Sequence, residues 1–207
     1  MLRNSATSHV AESIEFVPTD YFCPLILDDI FVRAAPVEVD LGCGDGAYLT
    51  ALAEQKPDRN FLGIERLLGR VRSACQKINH ADLTNARILR VEIGYAVMHL
   101  FPTESVESFH LMFPDPWPKR RHSGRRVFTE EFLASIHNAL TARGTLRIAT
   151  DRTDYFREIE DLAAGASNFT VMADREEPPA VSTFEKRFKQ NEIDIHRLLL
   201  KKTSPET

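Results

Sequence analysis

Short β-branched runs and amphipathic segments alternate along this chain from residue 37 onward. Apolar runs bounded by turn residues predict strands, and apolar residues at helical spacing predict helices. Strands are predicted at residues 37–41, 61–64, 86–91, 108–113, 145–149 and 169–172, with a weak closing strand near Ile193, Ile195 and Leu199. Helices are predicted at residues 21–32, 47–55, 67–78, 96–100, 130–140 and 154–163. This alternation is typical of an α/β fold, a mostly parallel central sheet with helices on both faces.

Acidic residues recur at the ends of the predicted strands. The five that lie at or just past successive strand ends are Asp40, Glu65, Glu92, Asp115 and Asp151. The carboxyl ends of parallel strands meet at one edge of the sheet, and ligands of open α/β sheets bind there near the switch point. The sequence therefore predicts a row of carboxylates along the ligand-binding edge.

A glycine-rich turn joins the first of these strands to the first helix after it. Gly42, Gly44 and Gly46 allow the backbone to pass close to a ligand, and the spacing alone also fits a dinucleotide site. Asp40 argues against a dinucleotide, because nicotinamide-binding strands are normally apolar there, and a carboxylate can hold the ammonium group of a methionine moiety. Glu65 stands where an acid can accept both ribose hydroxyls. S-adenosylmethionine, which is cationic and has no pyrophosphate, suits this acidic rim better than NAD.

The segment FPDPWPKRRHSGRR, residues 113–126, combines a carboxylate, an indole and a row of cations. Asp115 lies between two prolines, so its backbone belongs neither to a helix interior nor to a central strand. An acid, a stacking ring and phosphate-binding cations at a strand end are typical of a site for a nucleic-acid base. We expect Lys119, Arg120, Arg121, Arg125 and Arg126 to contact phosphates. A solvated proline-rich loop is the alternative, and it leaves Asp115 and Trp117 unexplained.

Composition limits the class of protein. The chain has 207 residues and 43% hydrophobic content, which suits one domain over residues 1–207 with a flexible tail at residues 1–19. No apolar run has the length of a membrane span and no signal-type stretch is seen, so we expect a cytoplasmic protein. The three cysteines have no metal-ligand spacing, so no metal is expected. A net charge of −4 excludes a general nucleic-acid coat but not one basic face.

Five motifs in order give the chain a family resemblance: DLGCGDG, GIE, FPDPWPKRRHSGRR, IATD and STFEKRF. With them the chain resembles the bacterial tRNA (guanine-N(7)-)-methyltransferases. The most specific element is FPDPW with its basic continuation. The resemblance implies a Rossmann-like methyltransferase fold, S-adenosylmethionine as cofactor, and methylation of ring nitrogen 7 of guanosine at position 46 of the tRNA variable loop. The partner would be tRNA, and the enzyme a monomer or a homodimer.

The resemblance also implies roles for individual residues. Asp115 matches the residue proposed to act in catalysis. The cofactor-binding positions would be Asp40, Gly42, Glu65, Glu92 and Asp115. The substrate-binding positions would be Lys119, Asp151, Ser182, Thr183, Phe184 and Glu185. None of the seven histidines is given a role.

Three other functions stay open at this point. A DNA methyltransferase acting on an exocyclic amine normally has a second proline before the aromatic ring, which Asp115-Pro116-Trp117 lacks. A non-catalytic tRNA-binding module on the same fold would not need Asp40, Glu65 and Asp115 together. A nicotinamide oxidoreductase would need a proton-relay constellation that the sequence does not offer.

Overall fold

Eight strands form one sheet in the computed structural model, which describes residues 13–117, 126–172, 180 and 183–203. The strands are β1 (Glu15–Phe16), β2 (Val37–Leu41), β3 (Asn60–Ile64), β4 (Ala86–Leu89), β5 (Val106–Met112), β6 (Leu140–Thr150), β7 (Phe169–Met172) and β8 (His196–Lys202). Their spatial order is β1-β4-β3-β2-β5-β6-β8-β7. The pairs from β1 to β6 are all parallel, and β8 runs antiparallel to both of its neighbours.

Within the described ranges, six α-helices connect or flank these strands. They are α1 (Ala47–Gln55), α2 (Leu68–His80), α3 (Ile93–Tyr95), α4 (Glu130–Ala139), α5 (Thr153–Gly165) and α6 (Thr183–Gln190). A π-helical turn, Ala96–Leu100, continues α3. Thr129 caps the start of α4, because its hydroxyl accepts a hydrogen bond from the N–H of Phe132 at 3.1 Å.

Apolar side chains cover both faces of the sheet. On one face, Phe132 and Ile136 of α4 and Ile159 of α5 pack in the cluster that contains Val39 of β2. On the other face, residues of α1 and α2 pack against Phe61 of β3. These two layers confirm the predicted α/β fold with helices on both faces. Because the strands between them run parallel, their carboxyl ends lie at one edge of the sheet.

The sheet has a switch point at β2, the strand from which the chain winds outward in both directions. Its neighbours are β3 on one side and β5 on the other. Loops leaving β2, β3 and β5 diverge at the carboxyl edge and leave a crevice there, which is where ligands of open α/β sheets bind.

The structure departs from the sequence prediction at three places before and after this core. The helix predicted over residues 21–32 is wrong: only Leu27–Asp29 forms a short 3-10 turn, since Pro24 disrupts the first half. Residues 15–16, expected in the loose tail, pair with β4 as an edge strand. Helix α6 was not predicted, because most of its residues are polar or charged.

Candidate active site

Three glycines shape the turn between β2 and α1. Gly42, Gly44 and Gly46 have φ of +78°, +58° and +79°, in the left-handed region that L side chains rarely adopt. A Cβ on Gly46 would lie 2.7 Å from the Cβ of Ala74 on α2, so a side chain does not fit. The N–H of Gly42 donates to the carbonyl of Ile64 at 2.9 Å, which fixes the turn against the end of β3. The glycine turn expected from the sequence is therefore present.

A cleft of about 270 Å³ opens beside this turn, at the carboxyl edge of the sheet. Four of the sequence-predicted site residues line it: Gly42, Glu65, Glu92 and Asp115. They come from the ends of β2, β3, β4 and β5, so four loops that are distant in sequence converge at the switch point. The row of carboxylates expected from strand ends is thus assembled at one cavity.

Asp40 lies near the end of β2, two residues before the first glycine that lines the cleft. Its side chain is buried, and its Oδ2 has no hydrogen-bond partner among the described residues. Burial and the nearby negative charge of Glu65 raise the pKa of this carboxyl to about 8. A buried carboxyl without a partner is costly, so the position is suited to a cationic ligand that would complete it.

Glu65 and Glu92 are held by the backbone that follows them. Oε1 of the buried Glu65 accepts a hydrogen bond from the N–H of Leu67 at 2.8 Å. Oε2 of Glu92 accepts from the N–H of Tyr95 at 2.9 Å, so this carboxylate caps α3. Both side chains are therefore oriented before any ligand arrives.

Asp115 is exposed at the mouth of the cleft between two residues with unusual backbone conformations. Phe113 has φ of +54° and Trp117 has φ of +41°. Bulky residues adopt such angles only when the surrounding structure enforces them, and strain of this kind clusters at functional sites. One enforcing contact is the hydrogen bond from the N–H of Phe113 to the carbonyl of Ala149, at 2.7 Å.

The predicted substrate residues are only partly described. Lys119 and Ser182 lie outside the described residues, and Thr183 and Phe184 are described only as backbone of α6. Asp151 follows β6 at the same sheet edge but does not line the cleft. Glu185 is 1% exposed, and its carboxylate accepts a hydrogen bond from the guanidinium of Arg197 at 2.5 Å. This pair joins α6 to β8, so a direct substrate contact for Glu185 stays a prediction.

Arg126 does not fit the expected phosphate contact. Its side chain is 8% exposed and its guanidinium pairs with Asp154 and Glu158 of α5. Two carboxylates, each about half exposed, already pair with this cation, which argues against the expected phosphate contact, and that contact stays a prediction. The sequence does not distinguish Arg126 from its basic neighbours, because the acidic partners of Arg126 lie on a helix about thirty residues later.

Sequence reasoning missed two features of the site. Arg66 and Arg70 line the cleft next to Glu65, and only their position directly after the GIE motif could have signalled this. His110, given no role from the sequence, is buried between Glu38 at 2.9 Å and the hydroxyl of Tyr48 at 3.1 Å. No local pattern predicts that network, because its members lie on β2, α1 and β5.

The Glu38 network stabilises the sheet beneath the site. Burial alone would raise the pKa of Glu38, but the hydrogen bond with His110 and the charge of Lys56 lower it to about 2. Burial lowers the pKa of His110, so its imidazole is neutral at pH 7. The described residues contain no cluster of acids, histidines and cysteines suited to a metal ion, and none of their helices is long and apolar enough to cross a membrane.

Comparison with protein families gives a match over most of the chain. Residues 34–198 match the model of a family described as putative methyltransferase. Curated tRNA (guanine-N(7)-)-methyltransferases are similar over the same part. The one from Nitrosomonas eutropha is 34% identical, covering 79% of this chain and 75% of the relative. The one from Chlorobium phaeobacteroides is also 34% identical, covering 82% of this chain and 83% of the relative.

Some relatives are considerably longer than this chain. The tRNA (guanine-N(7)-)-methyltransferase of Thermotoga maritima is 34% identical over 81% of this chain, but the match spans only about half (50%) of that relative.

Solved structures agree on the fold. The 16S rRNA methyltransferase KamB has a TM-score of 0.62 at 14% identity, covering 86% of this chain and 93% of that one. The aminoglycoside resistance methyltransferase NpmB1 has a TM-score of 0.59 at 18% identity, covering 86% of this chain and 92% of that one. At this level of identity the likeness concerns the fold alone, and it confirms the Rossmann-like methyltransferase fold.

Proposed function

The chain belongs to the family of the tRNA (guanine-N(7)-)-methyltransferases, and on that premise we propose that it methylates tRNA. The methyl group comes from S-adenosylmethionine, and the acceptor is ring nitrogen 7 of guanosine at position 46 of the variable loop. The observation that carries the proposal is the cleft itself, where Asp115 stands at the mouth and the glycine turn, Glu65 and Glu92 form the wall.

The described residues fit S-adenosylmethionine. Asp40 has a buried oxygen without a partner, which the ammonium group of the methionine moiety would satisfy. Glu65, held by the N–H of Leu67, would accept hydrogen bonds from the ribose hydroxyls. Gly42 would let the backbone approach the ligand, and Glu92, three residues past the end of β4, would contact the adenine. When bound, the cofactor supplies an electrophilic methyl group on a sulfonium.

The reaction needs no strong general base. Guanine nitrogen 7 has an in-ring lone pair and no proton to lose, so it can attack the methyl carbon directly. The new nitrogen–carbon bond would form as the carbon–sulfur bond of the cofactor breaks, and the electron pair of the carbon–sulfur bond would stay on sulfur. The positive charge would therefore pass from sulfur to the base. Catalysis then consists mostly of positioning and electrostatic stabilisation.

Asp115 is the residue to which we assign the catalytic role. Its exposed carboxylate lies at the cleft mouth, where it can face both the cofactor and the base. There it would stabilise the charge that develops on the methylated guanine or hold the Watson–Crick edge. Rigid neighbours, Pro114 and Pro116, reduce the conformational freedom that binding would otherwise remove.

The tRNA would be held by the remaining predicted substrate residues. Lys119 and its basic neighbours would contact phosphates, a salt-sensitive interaction independent of sequence. Asp151 and the segment Ser182 to Glu185 would contact the nucleotide. With tRNA as its substrate, we propose that the enzyme works in the cytoplasm, and a monomer or a homodimer remains our expectation.

Nucleoside analysis tests the proposed function. Purified protein is incubated with S-adenosylmethionine labelled in the methyl group and with bulk tRNA, and the nucleosides are then separated by mass. We expect label in 7-methylguanosine, and almost none with Asp115→Ala. Label in an exocyclic methylamine, or in DNA when DNA replaces tRNA in a parallel reaction, would indicate a different methyltransferase. Calorimetry that shows tRNA binding without cofactor binding would indicate a non-catalytic module.

A further inference from the structure

The guanidinium of Arg126 is engaged on every side within the protein. Nε donates to the carbonyl of Pro116 at 2.7 Å. Nη2 donates to Oδ2 of Asp154 at 3.3 Å, and Nη1 pairs with Oε2 of Glu158. The planar group also lies over the ring of Tyr155, 4.6 Å from its centroid. An arginine held by a carbonyl, two acids and a ring has a fixed position, and its charge is already paired with carboxylates of the same chain.

The contact with Pro116 connects this position to the active site. Pro116 separates Asp115 from Trp117, so the hydrogen bond fixes the peptide between the proposed catalytic residue and the strained Trp117. The other end of the guanidinium is fixed to α5. Arg126 and Pro116 lie ten residues apart in the chain, so this hydrogen bond joins the described residues up to Trp117 with those that follow from Arg126.

A strained backbone needs such a contact to persist. A φ of +41° at Trp117 costs free energy, and it is kept only where the surroundings determine it. Val127, directly after Arg126, lines the cleft together with Asp115 and Trp117. A change at Arg126 would therefore alter the cleft mouth without touching a ligand.

We propose that Arg126 is a positioning residue that holds Asp115 and Trp117 at the cleft by fastening Pro116 to α5. It acts through the backbone and not through tRNA phosphates. The catalytic part of this inference rests on the proposed function, but the structural part does not depend on any activity.

Trp117 gives a direct readout of the structural part, because it is the single tryptophan of the chain. Arg126→Ala should shift the emission of Trp117 to longer wavelength and increase its quenching by acrylamide. Arg33→Ala is the matched control: Arg33 also donates to a proline carbonyl, that of Pro57 at 2.6 Å, at the opposite edge of the sheet. This control should leave the emission unchanged. Unchanged emission and quenching with folded Arg126→Ala would overturn the proposal.

A second variant keeps the test decisive if Arg126→Ala does not fold. Glu158 is 54% exposed on α5, so Glu158→Ala leaves the core intact while removing one partner of the guanidinium. We expect a smaller shift of Trp117 emission in the same direction. A folded Glu158→Ala protein with the wild-type spectrum would also overturn the proposal.

Kinetics test the catalytic part. A displacement of about 1 Å at a positioned group can cost on the order of a hundredfold in rate, so Arg126→Ala should lower kcat by roughly tenfold to a hundredfold. Cofactor affinity and the salt dependence of tRNA binding should stay at their wild-type values, and Arg126→Lys should not restore kcat, because a single ammonium cannot reach Pro116 and both acids. Normal kcat with a flatter salt dependence would show a phosphate contact instead. If the wild-type protein methylates no tRNA, the proposed function fails, and the Trp117 measurement still decides the structural part.

Discussion

Replacing Asp40 with asparagine should stabilise the free protein while it weakens cofactor binding. The carboxyl is buried, one of its oxygens has no partner among the described residues, and its pKa is raised to about 8 by burial and by Glu65. At pH 7 the free protein therefore keeps a proton on Asp40 that the unfolded chain has lost. Asparagine is neutral in the folded and in the unfolded protein, so it avoids the free-energy cost of binding that proton. It carries no negative charge, however, and cannot form an ion pair with an ammonium group.

The size of the effect follows from the shift in pKa. The carboxyl titrates at about 8 in the folded protein, against an ordinary value of 3.8. One pKa unit corresponds to about 1.4 kcal/mol, so wild-type Asp40 costs about 4 kcal/mol of stability at pH 7. The buried amide of asparagine would also lack hydrogen-bond partners, which destabilises the folded variant by about 2 kcal/mol. A net gain of about 2 kcal/mol in a chain of this length raises Tm by roughly 4–8 °C.

The pH dependence has a definite sign. Because folding raises this pKa, the folded protein binds a proton that the unfolded chain releases, so stability falls as the pH rises from about 4 to about 8. Asp40→Asn should therefore be less stable than wild type near pH 4, about equal to it near pH 5, and increasingly more stable from there up to about pH 8. S-adenosylmethionine should raise the Tm of the wild-type protein by binding the folded state, and should raise that of the variant much less.

Differential scanning calorimetry between pH 5 and pH 8, with and without cofactor, checks both statements. Asp45→Asn is the control, since Asp45 lies in the same turn but is partly exposed and paired with Lys77 at 2.7 Å. Asp45→Asn should be slightly less stable than the wild-type protein, and it should not become more stable than wild type as the pH rises. A variant at Asp40 that is less stable than wild type at pH 7, or a difference that does not change with pH, would refute the reasoning.

Three further predictions concern other parts of the molecule. Asp115→Asn should bind cofactor normally and lose most of the methyl-transfer rate in single-turnover assays, and a nearly full rate would show that its charge is not needed. Glu38→Gln removes a buried carboxylate that is paired with Lys56 and Arg59, and the lowering of its pKa from 4.5 to about 2 corresponds to a loss of about 3 kcal/mol in urea unfolding at pH 7. Since folding lowers the pKa of Glu38, the wild-type advantage should disappear as the pH falls from about 4.5 to about 2; an advantage that persists at pH 2 would contradict this. Replacing Lys119 and Arg125 with alanine should weaken binding of different tRNAs about equally and lower the salt slope by roughly one unit per lost phosphate contact, whereas an unchanged slope would leave the loop without a role in binding.

Most of the fold follows from local patterns. Helix α1 and strand β7 have the bounds that the sequence predicts, but only α1 shows periodic burial, since Phe169 is the one buried residue of β7. Residues 21–32 have helical spacing too, but a proline within them prevents the helix. The two residues of β1 are too few to give any pattern, and they form a strand only because β4 offers a free edge.

The candidate site was predictable where strand ends determine it. Glu65, Glu92 and Asp115 follow strands, and the parallel sheet brings them together. Partners that come from distant elements were not predictable. Arg126 pairs with acids of α5, and Glu185 pairs with Arg197 of β8, and no local pattern of the sequence shows either contact.

Methyl transfer to a tRNA altered at a single atom tests the central claim most directly. Two tRNAs are prepared, one with guanosine and one with 7-deazaguanosine at position 46, which replaces ring nitrogen 7 by carbon and leaves the Watson–Crick edge unchanged. Both should bind the enzyme equally well. We predict that the first accepts about one methyl group per molecule, since a single in-ring nitrogen is the nucleophile, and that the second accepts none. Equal methylation of the two tRNAs would contradict the account, because the acceptor would then be another atom or another nucleotide.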